Sequence, residues 1–252
     1  MSSVPPLHPR AESLRIREKL VKGFEAGIVV PEGLAAHGRG EAFDYLLGET
    51  TTSQARRAIK AACEMLLSAE RPVISVNGNV AALVPDEIVK LSEVTGAKLE
   101  VNLFHASGTR ERKIAGWLRK HGAPEVLGVE SKYSTSSPEI RSNRRKVDKR
   151  GIAAADVVFV PLEDGDRTEA LKKLGKCVIA IDLNPMSRTA QASDVTIVDN
   201  VVRALPLMIG TSKRLSKSEK TNLHGKVKNF DNRKNITKTF RMMLDRLEKS
   251  AK

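Results

Sequence analysis

Residues 181 to 200, IDLNPMSRTAQASDVTIVDN, begin as a buried strand and break into a cluster suited to a phosphorylated or hydroxylated ligand. At the strand end the Asp182 carboxylate can accept ribose hydroxyls, and Asn184, beyond Leu183, offers a donor and an acceptor to a sugar or base. Ser187, Arg188 and Thr189 then open the next helix, where hydroxyl, guanidinium and backbone N–H groups converge on an anion. The competing reading is a capped loop, with Asn-Pro as a turn and Ser187 as N-cap. An Arg in a first turn opposes the helix dipole by roughly a few tenths of a kcal/mol, which tips the balance towards binding. A second apolar run, Val195 to Val198, ends in the same way at Asp199 and Asn200.

Other chemistry-bearing residues are spread along the chain. Arg39 stands between two glycines in AHGRGEAFDYLLGE, where it can approach a phosphate or carboxylate with both nitrogens. Glu41 reads either as a helix-start charge or as the partner of Arg39, and Arg17 reads as a surface residue. Asp164 and Asp166 flank Gly165 in LEDGDRTEAL. Two carboxylates at a strand end can share Mg²⁺ with a nucleotide's phosphates, but Asp166 with Glu169 also makes a capping box, the reading preferred for Asp166. His105 and Ser107 follow VNLF without a nucleophile elbow, so a serine-nucleophile mechanism is disfavoured. The five histidines lack metal-ligand spacing, so no protein-held zinc is expected. Neither G-x-G-x-x-G nor G-x-x-x-x-G-K-[ST] occurs in the chain.

Positioning these groups requires a scaffold. The first seventy residues read as helices: PRAESLRIREKLVKGFEAG stops at Gly27, and TTTSQARRAIKAACEMLLSAE opens on capping hydroxyls. From Pro72 onward short apolar runs alternate with helical patterns: PVISVN, KLEVNLF, EVLGV, DVVFVPL, KCVIAID and DVTIV are the strands. That alternation predicts an α/β fold, a Rossmann-like parallel sheet flanked by helices, with a helical N-terminal segment and a helical basic C-terminal tail. In such sheets ligands collect at the carboxyl ends of strands, so Asn77, Asn79, His105, Asp164, Asp182 and Asn200 all fall where a site belongs. Residues 128 to 151 have no apolar period and read as an inserted loop, with Arg144, Arg145 and Lys146 as a solvated charge run.

Composition narrows the function. With 252 residues, 40% of them hydrophobic, the chain can bury a sizeable core, and no apolar run approaches the roughly 20 residues of a membrane span. Two cysteines in apolar contexts and a start without a secretory pattern point to a cytoplasmic protein. The net charge of +13 is concentrated after residue 212, where thirteen Lys or Arg face four acids. The chain therefore divides into 1–212, a Rossmann-like domain with N-terminal helices, and 213–252, a basic helical extension packed on that domain or at a dimer interface. Nucleic-acid binding through that tail is the alternative function, weakened because Phe230 and Phe240 are its only aromatics. A nicotinamide oxidoreductase is weakened by the missing glycine fingerprint.

Five stretches, GIVVPEGLAAHGRGEAFDYLLGE, RPVISVNGNVAAL, KLEVNLF, VVFVPLEDGDRTEAL and VIAIDLNPMSRTAQASDVTIVDNVVRALPLM, closely resemble the archaeal phosphopantothenate synthetases, or 4-phosphopantoate–β-alanine ligases. The resemblance covers roughly residues 8 to 210. It implies ATP-dependent condensation of 4-phosphopantoate with β-alanine to 4'-phosphopantothenate, AMP and pyrophosphate, through an acyl-adenylate and with Mg²⁺, in a homodimer. By matching motif it implies ATP contacts from Arg17, Arg39, Asp182, Leu183, Asn184, Ser187, Arg188, Thr189, Asn200 and Val201. Arg39, Asp164 and His105 are then the candidate catalytic residues, and Asn77, Asn79 and Arg110 the candidate substrate contacts, placed by position. HASGTRERKI departs from the aromatic-Arg-Thr run usual after the VNLF strand, leaving Arg110 or Arg112 to face phosphate. No protein nucleophile is required, so catalysis reduces to positioning and cationic stabilisation.

Overall fold

The computed structural model describes residues 5, 7–8, 10–136, 145–217 and 230–251. Helices α1 (Ala11–Glu25), α2 (Pro31–Leu47) and α3 (Ser53–Ser68) precede the first strand. Their ends follow local chemistry. Pro31 opens α2, whose C-terminus is released by left-handed Gly48 (φ 81°), and the Thr52 hydroxyl caps α3 by accepting from the Ala55 N–H at 3.0 Å. Then come β1 (Pro72–Val76), α4 (Gly78–Leu83), α5 (Pro85–Thr95), β2 (Lys98–Val101), α6 (Gly108–Lys120), β3 (Ser134–Ser136) and β4 (Lys146–Asp148). The chain continues as β5 (Val157–Pro161), α7 (Gly165–Lys173), β6 (Cys177–Ile181), α8 (Arg188–Ala192), β7 (Val195–Ile197), α9 (Val201–Lys217) and α10 (Asn232–Ser250).

The expected α/β fold is present: a five-stranded sheet in the order β2-β1-β5-β6-β7, with every pairing parallel. Both faces are apolar because alternate residues point opposite ways. Ile74, Leu99, Phe159, Ile179 and Ile181 join the core built with α3, α5, α6 and α9, while Val73, Val158, Val160, Val178 and Ala180 face α7 and the 147–155 segment.

Side chains and loops close the sheet edges, which would otherwise leave unpaired backbone groups. On β7, the Asn232 side chain accepts from the Thr196 N–H at 2.9 Å, and Asn235 donates to the Thr196 carbonyl at 2.9 Å. Helix α10 of the basic tail is thus docked along an edge strand. The division read at residue 212 falls inside α9. At the other edge EVLGV is not a strand; Leu127 alone bridges β2, accepting from Val101 and donating to Leu99.

The segment read as an inserted loop contains an antiparallel pair, β3 with β4, in its described part, and Arg144 lies outside the described residues. Polar anchoring replaces an apolar period. Glu100, fully buried in β2, accepts from the N–H groups of Asp148 (3.0 Å) and Ile152 (2.6 Å), and the Arg150 guanidinium lies 3.6 Å over the Tyr133 ring.

Burial pushes the Glu100 carboxyl up to about 7, although both backbone donors and Arg167 favour its ionised form. The unfolded chain releases this proton near 4.5 and the folded chain near 7, so the protonated group adds stability that is complete below 4.5 and lost as pH rises through 7. The urea midpoint of the wild type relative to Glu100→Gln should therefore fall between pH 4.5 and 7 and then level off. A difference independent of pH would show that Glu100 does not titrate there.

Candidate active site

From β1 the chain first moves outward to β2, then crosses back to β5 and on to β6 and β7. Crossovers on the two sides of the β1–β5 junction diverge, which opens a crevice at the carboxyl ends of these strands. A cleft with two lobes, about 510 and 350 Å³, lies there, and Ala36 and Arg39 of α2 line both lobes. The cleft brings together Arg39, Asn77, Asn79, His105, Arg110, Asp164, Asp182, Leu183, Asn184, Ser187, Arg188 and Thr189.

Many of these side chains also hold the walls in place. The Asn77 carbonyl oxygen caps α4, accepting from Val80 N–H at 3.1 Å, while its amide donates to the carbonyls of Pro161 (3.1 Å) and Leu162 (2.9 Å). It thereby secures Leu162, a non-glycine residue with a left-handed backbone (φ 56°) between the two lobes. Asn79 donates to the Gly33 carbonyl at 2.8 Å and ties α2 to α4. Gly78 is required by packing, since a Cβ there would collide with the Ile28 carbonyl oxygen. Arg110, not Arg112, lines the smaller lobe, and its guanidinium donates to the carbonyls of Ile28 (2.8 Å) and His105 (2.9 Å).

The cap of α7 is Asp164, which accepts from the Arg167 N–H at 3.1 Å; the expectation for Asp166 is corrected. Asp166 instead pairs with Arg188 at 2.6 Å, and Glu169 with Arg188 at 2.8 Å. These acids pair with the first-turn Arg188, whose cost against the helix dipole the sequence reading assigns to anion binding. Helix α8 has only five residues and Ser187 caps it, accepting from Ala190 N–H at 2.9 Å, so its dipole is small. The Ser187 hydroxyl also donates to Asp182, which accepts the Asn184 N–H at 2.9 Å. Burial raises the Asp182 carboxyl above its ordinary range, opposed by the bonds from Ser187 and Asn184 and by the charge of Arg39.

Arg39 is not on a free loop, because Gly38 and Gly40 are both inside α2. It is exposed, lines both lobes, and makes no hydrogen bond or ion pair with any described residue. A guanidinium held at a cleft in this way has its donors ready for an anion.

Arg17, Asn200 and Val201 lie away from the two lobes. Arg17 pairs with Glu41 at 2.9 Å, so Glu41 is the partner of Arg17 and not of Arg39. Ser13 and Arg17 hold the Glu41 carboxylate below its ordinary range despite burial. Asn200 is buried and donates to Asp44 at 2.9 Å, and Val201, also buried, starts α9. Asn200 and Glu41 line a side cavity of about 120 Å³. Beside it Arg203 pairs with Asp44 (2.5 Å) and Asp199 (2.8 Å), and Thr51 donates to Asp199 at 2.6 Å.

Sequence reasoning missed His37, Asp44, Glu163 and Arg203. The 3.6-residue period marks His37 and Asp44, which share one face of α2 with Glu41; Arg203 reaches Asp199 four residues before it and Asp44 far away in sequence, and Glu163 stands in the loop after β5 near Arg167. Among the described residues no group of three or more His, Cys, Asp or Glu is placed to hold a metal ion.

The family model for phosphopantothenate/pantothenate synthetase matches residues 54–246. A 4-phosphopantoate–β-alanine ligase of Thermococcus kodakarensis is 49% identical over 252 residues, covering 100% of this chain and 96% of the relative. The ligase of the same name from Methanosarcina mazei is 48% identical over 251 residues, covering 100% of this chain and 98% of the relative. With matches of this extent, the chain belongs to the phosphopantothenate/pantothenate synthetase family.

Proposed function

We propose that the chain is an ATP-dependent ligase that condenses 4-phosphopantoate with β-alanine to 4'-phosphopantothenate, releasing AMP and pyrophosphate. What carries this reading is its near-half identity, over the full chain, to ligases of that name. The cleft supports it. Arg39, whose guanidinium has no partner among the described residues, would meet the phosphates, while Asp182 and Asn184 would meet ribose and base. His105 and Arg110, with Asn77 and Asn79 as supports, would form the wall of the substrate lobe.

In the first step a pantoate carboxylate oxygen bonds to the α-phosphorus and the bond to pyrophosphate breaks. The β-alanine nitrogen then attacks the acyl carbon, AMP leaves with the former P–O–C bridge oxygen, and the amine loses a proton. Neither step needs a protein nucleophile. Positioning and cationic stabilisation by Arg39 supply the catalysis. Mg²⁺ would come with the phosphates, assisted by at most the cleft carboxylates Glu163 and Asp164, since Mg²⁺ typically takes one or two carboxylates plus phosphate oxygens. We place the enzyme in the cytoplasm as a homodimer; among the described residues no helix is long and apolar enough to cross a membrane.

Purified protein given ATP, Mg²⁺, 4-phosphopantoate and β-alanine should form AMP and 4'-phosphopantothenate in equal amounts. ADP and phosphate instead, or no product, would overturn the reading.

A further inference from the structure

Among the described residues, His37 alone lines both the 510 Å³ lobe and the 120 Å³ side cavity. It is half-buried on α2, and its Nε2 is buried without a hydrogen-bond partner among the described residues. A buried imidazole nitrogen left unpaired is costly, and a native site that tolerates this cost needs a reason. Burial, helped by the charge of Arg17, lowers the pKa of the ring despite Glu41 and Asp44, and so favours neutral imidazole, which offers one donor and one acceptor nitrogen.

The side cavity identifies what can arrive there. Glu12, Glu41, Asp44 and Glu49 line it against Arg10 and Arg203; Glu41 is paired with Arg17, and Asp44 with Arg203, which leaves Glu12 and Glu49 facing Arg10. A phosphate would meet this excess of carboxylates unfavourably, whereas an amino or hydroxyl group would find acceptors. Arg39, a cation with no ion pair among the described residues, lines the main lobe. A ligand with an anionic end and a donor-rich neutral end is therefore oriented by the site itself.

We propose that His37 positions the nucleoside half of ATP, its Nε2 accepting a hydrogen bond from the base amine or a ribose hydroxyl at the mouth of the side cavity. This rests on the ATP-dependent reading above. The triphosphate then extends from that point towards Arg39. His37 is a positioning residue and takes no part in bond making.

The test is ATP titration by calorimetry, alongside steady-state assays, for wild type, His37→Phe and His37→Gln. Removing the acceptor in His37→Phe should weaken ATP binding and raise KM for ATP by about tenfold or more, while kcat at saturating ATP, KM for β-alanine and the affinity for inorganic pyrophosphate stay as in wild type. His37→Gln, which keeps a polar atom near the Nε2 position, should recover most of the loss. If the bulk of Phe prevents folding, His37→Ala carries the same expectations. Unchanged ATP affinity in a folded acceptor-less variant would overturn the role of His37, as would an equal loss of pyrophosphate affinity. Wild-type protein that binds no ATP would overturn the ATP-dependent reading itself, a result distinguishable from both.

Discussion

Replacing Arg39 with alanine is expected to raise the ATP concentration for half-maximal AMP release by about tenfold to a hundredfold, the worth of a hydrogen bond to a charged group. The direction follows from its placement. The guanidinium is exposed, lines both lobes, and makes no hydrogen bond or ion pair among the described residues, so its donors are open to an arriving phosphate. For the same reason Arg39→Ala should melt with the wild type. One side effect is expected: loss of this charge removes a stabiliser of ionised Asp182, whose pKa should rise further. Arg39→Lys should recover only part of the loss, because an ammonium lacks the planar fork that grips two oxygens. An unchanged ATP requirement in Arg39→Ala would remove this residue from the site.

Arg203→Ala should have the largest effect on stability. It would leave Asp44 and Asp199 buried without their shared cation, and stranding buried charge typically costs about 3–5 kcal/mol. For a chain of this length that is a fall in Tm on the order of 10 °C. Burial already raises the Asp199 carboxyl, although Thr51 and Arg203 favour its charged form. Without Arg203 it should take up a proton more readily, and the deficit should shrink as pH is lowered. Calorimetric melts at two pH values test both statements. A variant that melts with the wild type would show that the cluster adds nothing to stability. Asn200 shares Asp44 with Arg203, so its placement should loosen in the same variant.

The parallel sheet was legible because its strands are short apolar runs between helical patterns, and a strand buried on both faces cannot look otherwise. Where polar bonds replaced apolar burial, legibility failed. The described part of the 128–151 segment is anchored by Glu100, Asp148 and Arg150, which carry no periodic signal. EVLGV gives β2 two edge bonds without becoming a strand. Helix α10 reads as a basic amphipathic helix, but its role at the sheet edge depends on Asn232 and Asn235 meeting Thr196, some forty residues earlier.

The candidate site divides in the same way. Sequence by itself determined which residues stand at strand ends, since that follows from local pattern, and motif similarity over roughly residues 8 to 210 pointed to the family. Only tertiary structure decided what each polar group does: Asp164 and not Asp166 caps α7, Arg188 is taken by Asp166 and Glu169, and Arg17 by Glu41. It also decided that Arg39 has no partner among the described residues and that His37 stands between two cavities. The physical reason is range. Strand and helix signals come from neighbours a few residues apart, whereas the partner of a charge is set by elements that meet only when the chain has folded.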